Sequence, residues 1–198
     1  NKMRVLKLYN VNDYEQLERP DKYRGCTLNS PAQEILTDFT YNHPYVVEST
    51  TSAVETEAMM KRAHVRLKFV IDKEERFLGI ITLTDLGQDG LQKYVDAGFQ
   101  LEDISVAQIM TPRSALKAFN YDELAESTIC DVLTSLQMTN LHHCLVFDKT
   151  SRVIRGLLSA SDFAKKLDIP LPSDEIPTFV TLYNILVERI NTPNKKAG

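Results

Sequence analysis

The sequence predicts an α/β chain of the α+β kind, made of two βαββα units that pack against each other. Three observations carry this expectation. The stretch GIITLTDL at Gly79–Leu86 returns as GLLSASDF at Gly156–Phe163, with Gly, the hydroxyl residue and Asp at matching offsets. Each copy ends a pair of apolar runs joined by a charged turn, RLKFVIDKEERFLGIITL and HHCLVFDKTSRVIRGLLSA. Short runs rich in Val, Ile and Phe on either side of a polar turn predict a hairpin of buried strands. A helical pattern precedes each hairpin. One such unit is too small to cover its own sheet, so two copies cover each other.

The elements follow in order. The first copy begins with SPAQEILTDF, where Ser30 suits an N-cap and Pro31 the first helical position. The second begins with SVAQIMTPR, where Ser105 caps and Pro112 ends the turn. Short extended pieces follow at Tyr45–Glu48 (YVVE) and Ala115–Phe119 (ALKAF). Ser52-Ala-Val-Glu55 and Thr128-Ile-Cys-Asp131 both have a hydroxyl at N-cap and a carboxylate three residues on, the capping-box spacing. Val54, Ala58 and Met59, and more clearly Ile129, Val132, Leu133 and Leu136, then recur at helical spacing. After the hairpins come closing helices, from about Thr84 to a stop at Gly98 and from Ser161 to about Leu167. In TFVTLYNILVERI, Phe179, Leu182, Tyr183, Leu186 and Ile190 share one helical face. It predicts a helix covering the core, with a dimer contact or a lead into a partner domain as the alternative. The boundaries are an N-terminal arm or added strand at 1–29, a first repeat at 30–102, a second at 103–170, and a C-terminal helix and tail at 171–198.

Composition narrows the function classes. The chain has 198 residues, 43% hydrophobic and 25% charged, ordinary values for a globular protein. A net charge of −4 gives nucleic acid no electrostatic footing, so no nucleic-acid partner is expected. Cys26, Cys130 and Cys144 are odd in number and widely spaced, which fits neither a disulfide framework nor a metal site and predicts a cytoplasmic location. No apolar run approaches the ~18 residues of a membrane span. NKMRVLKLYN is too short in apolar residues for a signal peptide. With seven Gly and no Gly-rich stretch, the chain has no Walker-type loop, and it shows no Ser-His-Asp order, so it is not expected to be an enzyme.

Over about Ser30 to Asp168 the chain resembles a tandem pair of cystathionine β-synthase (CBS) domains, a Bateman module. The resemblance rests on Ile109–Pro112 (IMTP) with its looser match Ile35–Asp38 (ILTD), and on VRLKFVID and LHHCLVFD. It also rests on Gly-x-x-Thr/Ser-x-x-Asp at both strand-to-helix junctions, and on the duplication itself. It implies two repeats packed sheet to sheet about a pseudo-two-fold axis, with two symmetry-related clefts. It further implies a regulatory module that binds AMP, ADP, ATP or a related adenosyl ligand, needs no cofactor, forms a homodimer and acts on an effector protein.

The residue chemistry agrees with that implication and also admits a plainer one. Thr82 and Ser159 end a strand where a helix starts, and Asp85 and Asp162 follow on the first turn. A carboxylate there accepts both hydroxyls of a ribose, and the hydroxyl donates to a ribose or phosphate oxygen. The same spacing is a capping box that needs no ligand. Gly79 and Gly156 let neighbouring backbone approach closely. The family places His or Arg before the second strand, aimed at phosphate; here Arg66 and His142 hold that position, and His143 follows. Arg suits phosphate bidentately, and His adds charge only if its pKa is raised. Neighbouring His142 and His143 point to opposite faces of a strand, against a metal site. The chain departs from the family where Phe69 and Leu145 replace a Pro, and where Asp38 replaces the Pro of Met-Thr-Pro. Asp38 and Glu48 border the first cleft and repel phosphate if they face inward. A ligand-free interaction or dimerisation protein with degenerate clefts is therefore the second reading.

Overall fold

The computed structural model describes residues 7–17, 25–172 and 175–192. The rest of the expected arm and tail, and Ser173-Asp174 of the linker, lie outside the described residues. In chain order the elements are β1 (Thr37–Asp38), β2 (Val46–Glu48), α1 (Ala53–Ala63), β3 (Leu67–Ile71), β4 (Phe77–Thr82), α2 (Leu83–Leu86), α3 (Gln88–Asp96), α4 (Val106–Ile109) and β5 (Thr111–Pro112). They continue with β6 (Ala118–Asn120), α5 (Tyr121–Ala125), α6 (Ile129–Ser135), β7 (His143–Asp148), β8 (Val153–Ser159), α7 (Ala160–Lys166) and α8 (Phe179–Asn191).

Two four-stranded sheets result, ordered β2-β3-β4-β5 and β1-β8-β7-β6. In each, a parallel pair and an antiparallel hairpin come from one repeat. The fourth strand comes from the other repeat. β1 pairs with β8, Asp38 opposite Gly156, and β5 pairs with β4, Pro112 opposite Gly79. The lead-in of each repeat is thus built into its neighbour's sheet. This gives the repeated glycines their reason. A Cβ on Gly79 would lie 2.3 Å from the Thr111 carbonyl oxygen, and one on Gly156 2.7 Å from that of Thr37.

The hairpin turns are matched as well. The Asp72 carboxylate accepts from the backbone N–H of Glu74 and Arg76, and Asp148 from those of Thr150 and Ser151. These Asx bonds replace ladder bonds where the chain reverses. Both ladders shift register beside the turn, at Val70/Ile71 and Val146/Phe147.

Each sheet buries one face under its own helices. Met60, Val70, Ile81 and Leu86 form the first core, and Ile129, Leu133, Val146, Leu158 and Phe163 the second. The other faces meet through Leu67, Phe69 and Leu145, with Phe39, Phe77 and Leu157 around them. Burying each such side chain stabilises by about 1.5–3 kcal/mol. Sheet-to-sheet packing is as expected. Phe179 and Leu182 of α8 are fully buried in the second core, so α8 covers it, while Ile190 is exposed at the far end of the predicted face.

Several expectations need correction. Residues 7–17 contain no strand. The expected strand at Ala115–Phe119 moves to Ala118–Asn120, because Arg113–Ala115 forms a 3-10 turn. The helix from Thr84 breaks at Gly87 into α2 and α3, then ends as expected with Gly98 at φ 94°. Ser30 caps no helix; its hydroxyl accepts from the Thr27 N–H instead. Ser52 accepts from the Glu55 N–H without the reciprocal bond, whereas Thr128 with Asp131 makes the full box.

Candidate functional site

Two backbone bonds assemble the junctions. The Leu83 N–H donates to the Arg66 carbonyl at 3.0 Å, and the Ala160 N–H to the His142 carbonyl at 2.9 Å. In the ladders, Leu67 faces Thr82 and His143 faces Ser159. The start of each hairpin is thereby held against the start of the following helix. Both junctions open into one shared cavity of about 840 Å³. Arg66, Thr82, His142, His143, Ser159 and Asp162 all line it; Asp85 does not.

The two motif copies differ in what their carboxylates do. Asp85 Oδ2 accepts from the Thr82 N–H at 2.9 Å and from its hydroxyl at 2.8 Å, and the Asp85 N–H donates back at 3.3 Å. This is a complete capping box, and it engages Oδ2 of Asp85 and the Thr82 hydroxyl. Ser159 makes no side-chain cap. Among the described residues the hydroxyls of Ser159 and Ser161 and the carboxylate of Asp162 have no protein hydrogen bond, and all three residues line the cavity.

The cationic side is mixed. Arg66 and Lys165 line the cavity without an ion pair among the described residues, while Lys61 is paired with Glu57. His142 Nδ1 lies 2.8 Å from the Pro177 carbonyl oxygen. A carbonyl only accepts, so Nδ1 carries a proton. His143 is pushed down to about 4, first by burial and then by the neighbouring His142 and Arg66. It is neutral at pH 7, so the condition under which it adds charge toward a phosphate, a raised pKa, is not met. The acidic border is corrected. Neither Asp38 nor Glu48 lines the cavity. Asp38 accepts from Arg155 Nε at 3.0 Å and Nη2 at 3.2 Å, across the exchanged strand pair.

Phe69 makes a backbone contact that the proline expected at this position would not. Its N–H donates to the Tyr45 carbonyl at 2.7 Å, a bond a proline lacks. Its ring packs edge-on against Phe39, with centroids 5.3 Å apart.

Sequence reasoning missed part of the wall. Met60, Lys61 and His64 come from the end of α1, where His64 is left-handed at φ 53°. Leu171 and Glu175–Pro177 come from the linker to α8, tied down by the Phe179 N–H donating to the Leu141 carbonyl at 3.0 Å. Ser161 was within reach of the sequence, one residue from Asp162 on the same helical turn. The linker was not, because irregular backbone carries no periodicity to follow. Among the described residues no group of three or more His, Cys, Asp or Glu is placed to hold a metal ion, and no helix is long and apolar enough to cross a membrane.

The family model for the CBS domain matches residues 34–86. No curated protein matches the sequence. An uncharacterized conserved protein from Pyrococcus horikoshii is similar in structure at TM-score 0.54 and 21% identity, covering 75% of this chain and 99% of that one. A CBS domain protein from Streptococcus pneumoniae TIGR4 is similar at TM-score 0.50 and 16% identity, covering 70% and 82%. CBSX2, solved in complex with AMP, is similar at TM-score 0.49 and 19% identity, covering 69% and 94%. At these identities the likeness is one of fold.

Proposed function

We propose, from the CBS-domain match over residues 34–86 and the fold shared with a CBS domain protein, that the chain is a regulatory module whose junction cavity binds one adenosine nucleotide. The observation that carries this is the open second motif. Asp162 presents a carboxylate with no protein partner among the described residues, beside the hydroxyls of Ser159 and Ser161 and across a cavity wall from Arg66. Both ribose hydroxyls donate to Asp162, giving two charge-assisted bonds. The serine hydroxyls and the Arg66 and Lys165 side chains receive the phosphate. Asp85 stays a helix cap, so a single ligand is bound.

The signal leaves through the linker. Glu175–Pro177 line the cavity and lead directly into α8. A ligand that binds one position of this wall better than another shifts α8 by that difference in affinity and no more. A homodimer and an effector protein that reads α8 complete the proposal.

A second reading, a ligand-free interaction protein on the same fold, has two observations in its favour. Asp85 Oδ2 is engaged by its cap, and the Phe69 N–H, which a proline would lack, ties up the Tyr45 carbonyl oxygen that a ligand could otherwise meet. A thermal-shift screen of the whole chain against AMP, ADP, ATP, S-adenosylmethionine and NAD separates the two. A rise in melting temperature with an adenosine nucleotide, lost in Asp162→Ala and kept in Asp85→Ala, supports the sensor. No shift at millimolar ligand turns the assignment to the interaction protein.

A further inference from the structure

At the other end of the same strands, between the two hairpin turns, lies a second cavity of about 890 Å³. Its floor is aromatic and aliphatic: Phe39, Phe69, Phe77 and Phe147, with Val46 and Ile154. Phe69 is central, with the Phe39 ring 5.3 Å and the Phe77 ring 5.6 Å away. Its rim carries four cationic residues, Arg76, Arg113, Lys149 and Arg152, and two acids, Glu75 and Asp148.

The rim charges do not cancel locally. Arg76 is neutralised by Asp72, whose carboxylate lies 2.7 Å from its Nε. Asp148 is held by its own turn and lies 3.5 Å from Arg155. Arg113 Nη1 donates to the Phe77 carbonyl at 3.0 Å, which positions the guanidinium without neutralising it. Among the described residues Lys149 and Arg152 make no ion pair. That leaves three cations without an ion-pair partner, Arg113, Lys149 and Arg152, facing Glu75 and Asp148, the latter sharing Arg155 with Asp38. Arg113 belongs to the lead-in exchanged into the first sheet and Arg152 to the turn of the second, so an anion between them bridges both sheets.

We propose that this cavity binds a small amphipathic anion, with an aromatic or branched aliphatic body on the phenylalanine floor and one acidic headgroup at Arg113 and Arg152. An apolar concavity with a few convergent charged groups is the chemistry of such a ligand. Guanidinium groups hold a planar carboxylate, sulfonate or phosphate headgroup bidentately. The site shares no lining residue with the junction cavity and does not depend on the nucleotide reading.

The test is a fluorescence and calorimetric titration of the full chain with 8-anilinonaphthalene-1-sulfonate. The expected result is one saturable site, weakened roughly tenfold or more by the double variant Arg113→Glu with Arg152→Glu, and largely kept in Arg113→Lys. The uncharged N-phenyl-1-naphthylamine binds more weakly than the sulfonate, and Asp162→Ala changes nothing. Both arginines are exposed, so circular dichroism of the double variant is expected to match the parent. The proposal is overturned by any of three results: no saturable binding, equal binding to the charge-reversed chain, or probe access that falls as protein concentration rises, which would make the cavity a contact between copies.

Discussion

Gly79 stands opposite Pro112 in a ladder whose two strands belong to different repeats. Gly156 and Asp38 repeat the relationship in the other sheet. The exchange ties the repeats together through backbone, and it leaves no room for a side chain at either glycine. Gly79→Ala puts a methyl 2.3 Å from a carbonyl oxygen, so the strands must part. It is expected to cost about 1–3 kcal/mol, the usual penalty of overpacking. Gly156→Ala meets the Leu36 side chain and the Thr37 carbonyl at 2.7 Å, and is expected to cost less, because its backbone clash is milder than the 2.3 Å at Gly79 and the Leu36 side chain can turn away. Urea melts of the two variants check both the size and the order.

The two copies of the junction motif separate in stability. Asp85→Ala removes a full capping box and is expected to cost about 1 kcal/mol. Asp162 caps nothing, and Asp162→Ala is expected to stay within about 0.5 kcal/mol of the parent without ligand. Equal losses in urea melts would mean that Asp162 is a cap as well.

Much of this was legible in the sequence, and the reasons are local. A strand that turns into a capped helix needs Gly, apolar residues, a hydroxyl and a carboxylate within a few positions. Gly79–Asp85 and Gly156–Asp162 therefore announced themselves twice. The exchange of lead-ins was not legible. ILTD at Ile35–Asp38 and IMTP at Ile109–Pro112 are alike, and pairing within or between repeats leaves the same pattern. The unequal use of Asp85 and Asp162 was hidden as well, since Thr-x-x-Asp and Ser-x-x-Asp have one spacing and two outcomes. The merging of both junctions into one cavity depends on how the sheets pack, which local spacing does not encode.

His143 gives the fold a dependence on pH. Its folded pKa, about 4, lies below the ordinary value of 6.5 because burial disfavours the charged ring. The unfolded chain then binds more protons than the folded one between these values, so stability rises with pH across that window. It is fully present above about pH 6.5 and is lost as pH falls toward 4, by an amount on the order of 2 kcal/mol. Leu67 fills the equivalent position of the first repeat. His143→Leu is expected to flatten the slope, which urea midpoints at pH 5 and 7.5 measure.

Asp38 acts at lower pH. Burial raises its pKa, but hydrogen bonds from Arg155 and Thr40 outweigh this and leave it below the ordinary aspartate value. Its contribution is present above about pH 4 and is lost as pH falls through the lower folded value. Arg155 also lies 3.9 Å from the centre of the Tyr121 ring of its own repeat, which holds the guanidinium where it meets Asp38 of the exchanged β1. Arg155→Met is expected to cost about 1 kcal/mol at pH 7 and to remove this part of the acid limb in a pH series of melts.

Calorimetry of the intact chain with AMP and ATP, repeated on Asp162→Ala and Asp85→Ala, tests the central claim most directly. The account predicts one nucleotide per chain, binding abolished in Asp162→Ala and retained in Asp85→Ala. Binding that survives Asp162→Ala and vanishes in Asp85→Ala would contradict it, as would an absence of heat with either nucleotide at millimolar concentration.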